Sequence, residues 1–253
     1  MYRFHQLLTA TLSPHKALQE REPSPAMLGG ILCEAAVATK LGFEPWLPEG
    51  VTFTEEDMPA WDAQAERVAE VLRAFPGIQY QPALAWPSSD LFQRQAEGHP
   101  DFGDLVNHHL LDLKTTEYPT EELLEKYLYS VQMCAYMAAY KRQFTTPPRL
   151  TIILASRLVE PDPVQFNKNG TVSLSGQNAD HASLMEAVTA MGDKADDRHW
   201  AMVYKAPVWN PVIVGTLEPE ECLELAKVGE IFLDAGLAIL ETGLAERVIR
   251  PYA

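Results

Sequence analysis

The chain has 253 residues, enough for one sizeable core, and its 47% hydrophobic and 22% charged content is that of an ordinary globular protein. A formal net charge of −15 argues against a broad basic surface for nucleic acid, though it leaves room for a local basic groove or for a carboxylate site whose sign a bound cation would reverse. Cys33, Cys134 and Cys222 are far apart and form no CxxC pair, so they read as buried reduced thiols and not as a zinc or iron–sulfur site; no apolar run reaches the ~18 residues of a membrane span, and the opening Met-Tyr-Arg-Phe-His-Gln has no signal pattern, so a cytoplasmic location is expected.

Taken in order, residues 1–25 read as a docking segment with turns at Ser13-Pro14 and Ser24-Pro25. A helix is predicted over 26–41. An acidic stretch from Glu49 to Asp62 follows, then a helix over 60–75. Ile78 to Ala85 reads as a strand or an extended linker, and Gly103 to Lys114 as two short strands. Thr120 to Tyr140 reads as one helix, with Glu121 and Glu122 in the first turn, where the helix dipole favours anions. Leu150 to Ala155 is a compact apolar run and a candidate buried strand. Asn169-Gly170 signals a turn, and Asp180 a cap for a helix through Met191. Trp200–Tyr204 and Val212–Thr216 read as strands, and Glu218 to Gly243 as a long final helix. Interspersed strands and helices predict an α/β protein, a mixed sheet flanked by helices, in a single domain over residues 1–253 with insertions near 45–75 and 157–198.

The chemistry concentrates in Gly103 to Lys114. Asp112 and Lys114 are two apart, so on a strand they share a face, among Leu110, Leu111 and Leu113. A half-buried carboxylate and ammonium are expensive to desolvate unless they are used or mutually satisfied. A three-residue loop, Asn107 to His109, would place Asp104 opposite Asp112, whereas an even loop would turn Asp104 to the other face. The odd loop is the expectation. Two carboxylates on one face suit a hard cation such as Mg²⁺, with Mn²⁺ as a substitute and the Leu113 carbonyl as a further ligand. Such an ion would activate a water, and Lys114 would orient or deprotonate it. No nucleotide cofactor is expected.

Two helices add to this. Gln132 and Tyr136 stand at i and i+4 and stack on one helix face next to Leu128 and Ala139, so the Gln132 amide needs hydrogen-bond partners. Glu34 shares its face with Gly30, Ile31, Val37, Ala38 and Leu41, an apolar setting that is costly for a carboxylate without a cation.

In order, Glu34, Asp104, Asp112-Leu113-Lys114 and Gln132-x-x-x-Tyr136 resemble the PD-(D/E)XK nuclease superfamily, with its restriction-endonuclease-like core, and in particular the RecB-like branch that carries Q-x-x-x-Y. Gly30-Ile-Leu-Cys-Glu34, the opening Phe4-His5-Gln6, Leu12-Ser13 and Ser24-Pro25, Asp112-Leu-Lys-Thr-Thr116, Tyr129 to Tyr136 and the helix from Glu218 are similar to RecE-type and lambda-type phage exonucleases. Cys33 departs from the His often found there. The resemblance implies that Glu34, Asp104 and Asp112 bind metal, that Lys114 positions the attacking water, and that Gln132 and Tyr136 hold the active-site helix or a phosphate. It implies a Mg²⁺-dependent exonuclease resecting linear double-stranded DNA in phage-type recombination, encoded by a phage, prophage or bacterium. A homo-oligomeric ring and a single-strand annealing recombinase as partner are implied with it. An endonuclease or single-strand nuclease of DNA repair, and a catalytically silent packaging or scaffold protein, are the alternatives. Lys114, Lys126, Lys141 and Arg142 are candidates for a basic DNA path.

Overall fold

A computed structural model describes residues 2–12, 24–86, 95–158 and 160–241. In chain order the elements are β1 (Tyr2–Arg3), α1 (Phe4–Leu12), α2 (Pro25–Lys40), α3 (Met58–Leu72), β2 (Gln79–Tyr80), β3 (Leu84–Trp86), β4 (Ala96–Gly98), β5 (Phe102–Asp104), β6 (His109–Thr116), α4 (Glu121–Leu128), α5 (Val131–Gln143) and β7 (Arg149–Ser156). Then come α6 (His181–Ala190), a short 3-10 turn at Gly192–Lys194, α7 (Asp197–Lys205), β8 (Val212–Leu217) and α8 (Pro219–Glu241). The central sheet has five strands in the order β2-β5-β6-β7-β8. Only the β6–β7 pair is parallel, so the sheet is mixed. A three-stranded sheet, β1-β4-β3, lies beside it.

The alternation of β7 explains the layers. Leu150, Ile152 and Leu154 face a core built with α1, α4, α5 and α8, while Ile153 and Ala155 face a second core built with α2 and α3. Both faces are covered, so β7 reads as a continuous apolar run. Ser24 caps α2 by accepting from the Met27 N–H at 3.3 Å, with Pro25 in its first turn. The turn at Gly170 is present, with φ +80°, and Asp180 caps α6 through the N–H groups of Ala182 and Ser183. Ser13-Pro14 and the end of the last predicted helix lie outside the described residues.

Three expectations are corrected. Ile78 to Ala85 is neither one strand nor a linker, because it supplies β2 to one sheet and β3 to the other. The single helix over Thr120 to Tyr140 is two. Ser130 takes an extended backbone and accepts from the Met133 N–H at 3.4 Å, which starts α5 afresh. Trp200 to Tyr204 is helical, within α7. Asp196 and His199 form a reciprocal cap there, and His199 and Val203, four apart, bury one face of the helix. Residues 160–206 build a satellite core around Val172, Leu184, Val188 and Val203.

Helix α8 lies along α5 and α1. Gly229 and Gly236, seven apart on one face, make this possible, since a side chain at Gly229 would fall on the Cys134 carbonyl and one at Gly236 on the Leu7 carbonyl. Gly229→Ala is therefore expected to lose about 1–3 kcal/mol through forced separation of the helices, more than the ~1 kcal/mol that alanine gains in helix propensity. Urea denaturation measures it; an unchanged or raised midpoint would show that α8 does not approach α5 so closely.

Candidate functional site

The hairpin register decides which acids share a face. Asp104 pairs with His109, Gly103 with Leu110 and Phe102 with Leu111. The loop is Leu105 to His108, an even length, and His108 takes a positive φ of 54° to close it. Asp104 is therefore turned to the face of Phe102 and Leu111, away from Asp112, which corrects the expectation of an odd loop. The physical reason is local. The buried Asp104 accepts from the Asn107 N–H at 3.1 Å and the Asn107 side-chain amide at 2.7 Å, closing the turn. Burial alone would raise its pKa. The hydrogen bonds from Asn107 and from the N–H groups of Gly77 and Val106 outweigh this and hold the carboxyl below the usual carboxylate range.

The same register places Asp101 across from Asp112. β5 begins only at Phe102, so the edge of β6 beyond Leu111 has no strand beside it there. Asp101 fills the place, its Oδ2 accepting from the Leu113 N–H at 2.7 Å. In an extended strand the carbonyl of a residue points to the same side as its N–H, so the Leu113 carbonyl faces Asp101 as well. Asp112 is fully buried. The Lys114 Nζ stands 2.5 Å from its Oδ2 in a charge-assisted pair, and among the described residues the buried Oδ1 has no hydrogen-bond partner. Asp112 and Lys114 thus share a face as predicted, with Asp101 in the place expected of Asp104.

Glu34 comes from the other side of the sheet edge. Its Oε1 accepts from the Tyr80 hydroxyl at 3.0 Å and the Gln81 amide at 2.9 Å. On α5, the Gln132 amide donates to the Tyr136 hydroxyl at 3.0 Å, and that hydroxyl donates to the His99 carbonyl at 2.8 Å. The pair therefore anchors the segment that ends in Asp101. Glu34, Asp101, Gln132 and Tyr136 line one cleft of about 670 Å³, together with Trp46. Asp112 and Lys114 stand close enough to act electrostatically on Asp101 and Tyr136.

These charges explain one another. Burial, then Asp112 and Glu34, push the Asp101 carboxyl well above its usual value, against the opposing pull of Lys114. Glu34 is raised, first by burial and further by Asp112, against its hydrogen bonds from Gln81 and Tyr80. Burial lowers Lys114, but Asp112, Asp101 and Glu34 outweigh it and raise the ammonium pKa. Burial, then Asp112 and Asp101, keep the Tyr136 hydroxyl protonated. Among the described residues no three Asp, Glu, His or Cys side chains stand in a ready ligand array. Each acid is engaged separately, Glu34 by Tyr80 and Gln81, Asp101 by Leu113, Asp112 by Lys114.

Of the suggested basic path, none of Lys114, Lys126, Lys141 and Arg142 lines the cleft; Lys114 stands behind it, paired with Asp112. Lys141 pairs with Glu230 at 3.2 Å, and Arg142 stacks 4.8 Å over the Trp86 ring. Arg3 is the arginine that does line it, paired with Glu97 at 2.9 Å.

No family model matches the chain, and no curated protein matches it. Among the solved structures similar to it are two exonuclease-named proteins. One is a protein from Eubacterium rectale named for an inferred exonuclease activity, at 11% identity and a TM-score of 0.47, covering 89% of this chain and 70% of that one. The other is a phage-related exonuclease from Haemophilus somnus 129PT, at 11% identity and a TM-score of 0.36, covering 97% and 95%. The fold class rests on the sheet topology itself, a mixed sheet between helical layers.

Sequence reasoning missed Asp101, yet a signal was present. The PD-(D/E)XK pattern opens on Pro-Asp, and Pro100-Asp101 precedes Asp112-Leu113-Lys114 as that pattern asks.

Two substitutions separate the acids by stability. Because the folded-state pKa of Asp101 is raised, its folded form binds a proton more tightly than the unfolded chain. Its stabilising contribution is present below the unfolded value and is lost as pH rises through the folded one. Asp101→Asn is thus expected to raise Tm in metal-free buffer at pH 8, with the gain shrinking as the buffer is acidified. Asp104→Ala is expected to cost about 1–3 kcal/mol at neutral pH, the loss of a buried, hydrogen-bonded carboxylate. Thermal melts across pH check both; a lower Tm for Asp101→Asn at pH 8 would contradict the charge balance described.

Proposed function

We propose that this protein is a metal-dependent deoxyribonuclease, acting as an exonuclease on linear double-stranded DNA. The observation that carries the reading is the buried Asp112, ion-paired with Lys114 through Oδ2, facing Asp101, and with no hydrogen-bond partner on Oδ1 among the described residues. A carboxylate so placed is satisfied by a cation, and an all-oxygen set suits Mg²⁺, with Mn²⁺ as substitute. Asp101, Asp112 and the Leu113 carbonyl would hold the ion, with Glu34 completing the shell directly or through water. Asp104 has no part in it. When bound, the ion supplies Lewis-acid stabilisation of a phosphate oxygen and a lowered pKa for a water.

The chain's own residues do the rest. Lys114 Nζ, already drawn to Asp112, is placed to orient a water and to offset negative charge that develops on the phosphate. Tyr136, held protonated, positions the His99–Asp101 segment through the His99 carbonyl, and Gln132 fixes the Tyr136 hydroxyl. The cleft is large enough for a nucleotide and a few waters. A ring assembly, a single-strand annealing recombinase as partner and a role in phage-type recombination belong to the same proposal through the motif resemblance.

Incubation with Mg²⁺ and end-labelled linear or closed circular DNA tests the reading. Loss of linear DNA alone is expected. Asp101→Asn and Lys114→Ala should each reduce the rate by about 10²–10⁴-fold, and Asp104→Ala by less than tenfold. Cutting of circles would favour an endonuclease; absence of cleavage with both Mg²⁺ and Mn²⁺ would refute nuclease activity.

A further inference from the structure

Trp46 is an indole open to solvent beside carboxylates. It is 55% exposed and lines the same cleft as Glu34, Asp101, Gln132 and Tyr136. Single exposed hydrophobics are ordinary, but this one lines the cleft that holds the acids, and its backbone is held in place. Pro45 and Pro48 bracket it, fixing φ on both sides of a short irregular segment. The Trp46 N–H donates to the Tyr80 hydroxyl at 3.2 Å, and that hydroxyl donates to Glu34 at 3.0 Å. Tyr80 in turn is stacked with Phe43 at 6.0 Å and packed against Phe102 at 5.5 Å, so the tether is not free to swing. Two hydrogen bonds through one buttressed hydroxyl therefore set the Trp46 backbone, from which the indole reaches the cleft, at a defined place relative to Glu34.

The ring has nothing to do as a core residue, and its position is that of a platform. Nucleobases stack on exposed aromatic faces without regard to sequence, since every base has a π-face. A base can reach such a face only when it has left its own duplex stack. Resting on the nuclease reading above, we infer that Trp46 stacks on an unpaired base of the substrate strand next to the phosphate held at Asp101 and Asp112, and so selects strand ends whose terminal nucleotide has separated from its complement. Trp46 acts here as a substrate-positioning residue and takes no part in bond breaking. The inference also explains how an acidic cleft holds a polyanion: part of the binding is stacking, which the local negative charge does not oppose.

The test uses the full chain with Ca²⁺ in place of Mg²⁺, and a short single-stranded oligonucleotide carrying 2-aminopurine or an abasic site at its terminus. Stacking predicts that 2-aminopurine is quenched on binding to the wild type and to Trp46→Phe, but not to Trp46→Ala. The abasic terminus should cost the wild type about ten- to a hundredfold in affinity, and Trp46→Ala should lose a similar factor with the intact strand while no longer distinguishing the two. In steady state with Mg²⁺, Trp46→Ala should raise KM with little change in kcat on frayed ends, and Trp46→Phe should restore it. Equal quenching and equal affinity for wild type and Trp46→Ala would overturn the inference, as would a wild type that ignores the abasic site or binds no oligonucleotide. Failure of the nuclease reading shows separately, as cleavage by Asp112→Asn at the wild-type rate.

Discussion

The constraint around which this site is arranged is the fully buried Asp112 carboxylate, ion-paired with Lys114 through Oδ2 and, among the described residues, without a hydrogen-bond partner for Oδ1. It lies in a sheet covered on both faces, across from Asp101. Coulomb attraction at that separation offsets part of the desolvation, but a buried pair of this kind is at best weak evidence of stability. Two more acids, Asp101 and Glu34, are then brought near enough to shift their own protonation upward. Well-packed apolar side chains in place of such a pair are often as stable or more so. Its presence within an otherwise well-packed core is what makes the region the candidate site.

The scaffold holds the acids close together from several elements. Asp101 is positioned from two directions, by the Leu113 N–H in front and by the Tyr136 hydroxyl gripping His99 two residues before it. Tyr136 can do this because α5 begins anew at Ser130, which puts Gln132 in its first turn and points the Gln132–Tyr136 face toward the cleft. The path of α5 is set in turn by α8, which approaches within backbone contact at Gly229. On the opposite side, Tyr80 serves Glu34 and Trp46 with one hydroxyl, as donor to the first and acceptor from the second. A change in the packing of Tyr80 would therefore be felt at both the acid and the Trp46 backbone.

Asp104 shows how one sequence pattern can carry two meanings. An acid shortly before an Asp-x-Lys on a predicted hairpin is a good candidate for a shared metal site. Here it closes the hairpin turn instead, and an acid three residues earlier stands opposite Asp112. The exchange follows from parity: one residue more or fewer in the loop carries every side chain of the strand to the other face.

By itself the sequence determined what repeats locally. It placed Asp112 and Lys114 on one face of a strand, Gln132 and Tyr136 on one face of a helix, the Asp180 cap, and the apolar run of β7, because each depends only on the periods of helix and strand and on neighbours within four residues. It also set Glu34 in an apolar helix face, which made that acid conspicuous. Tertiary structure alone decided the rest. The hairpin register turned on a positive φ at His108 and on a side-chain cap from Asp104. The break at Ser130 turned on where α5 could pack, and the helix over Trp200 to Tyr204 on a satellite core that no periodicity announces. The approach of Trp46 to Glu34 spans a sequence separation that only the folded chain closes, through Tyr80. Sequence periodicity specifies which face a side chain takes on its own element; which other faces it meets is set by register, loop parity and packing, and these belong to the whole fold.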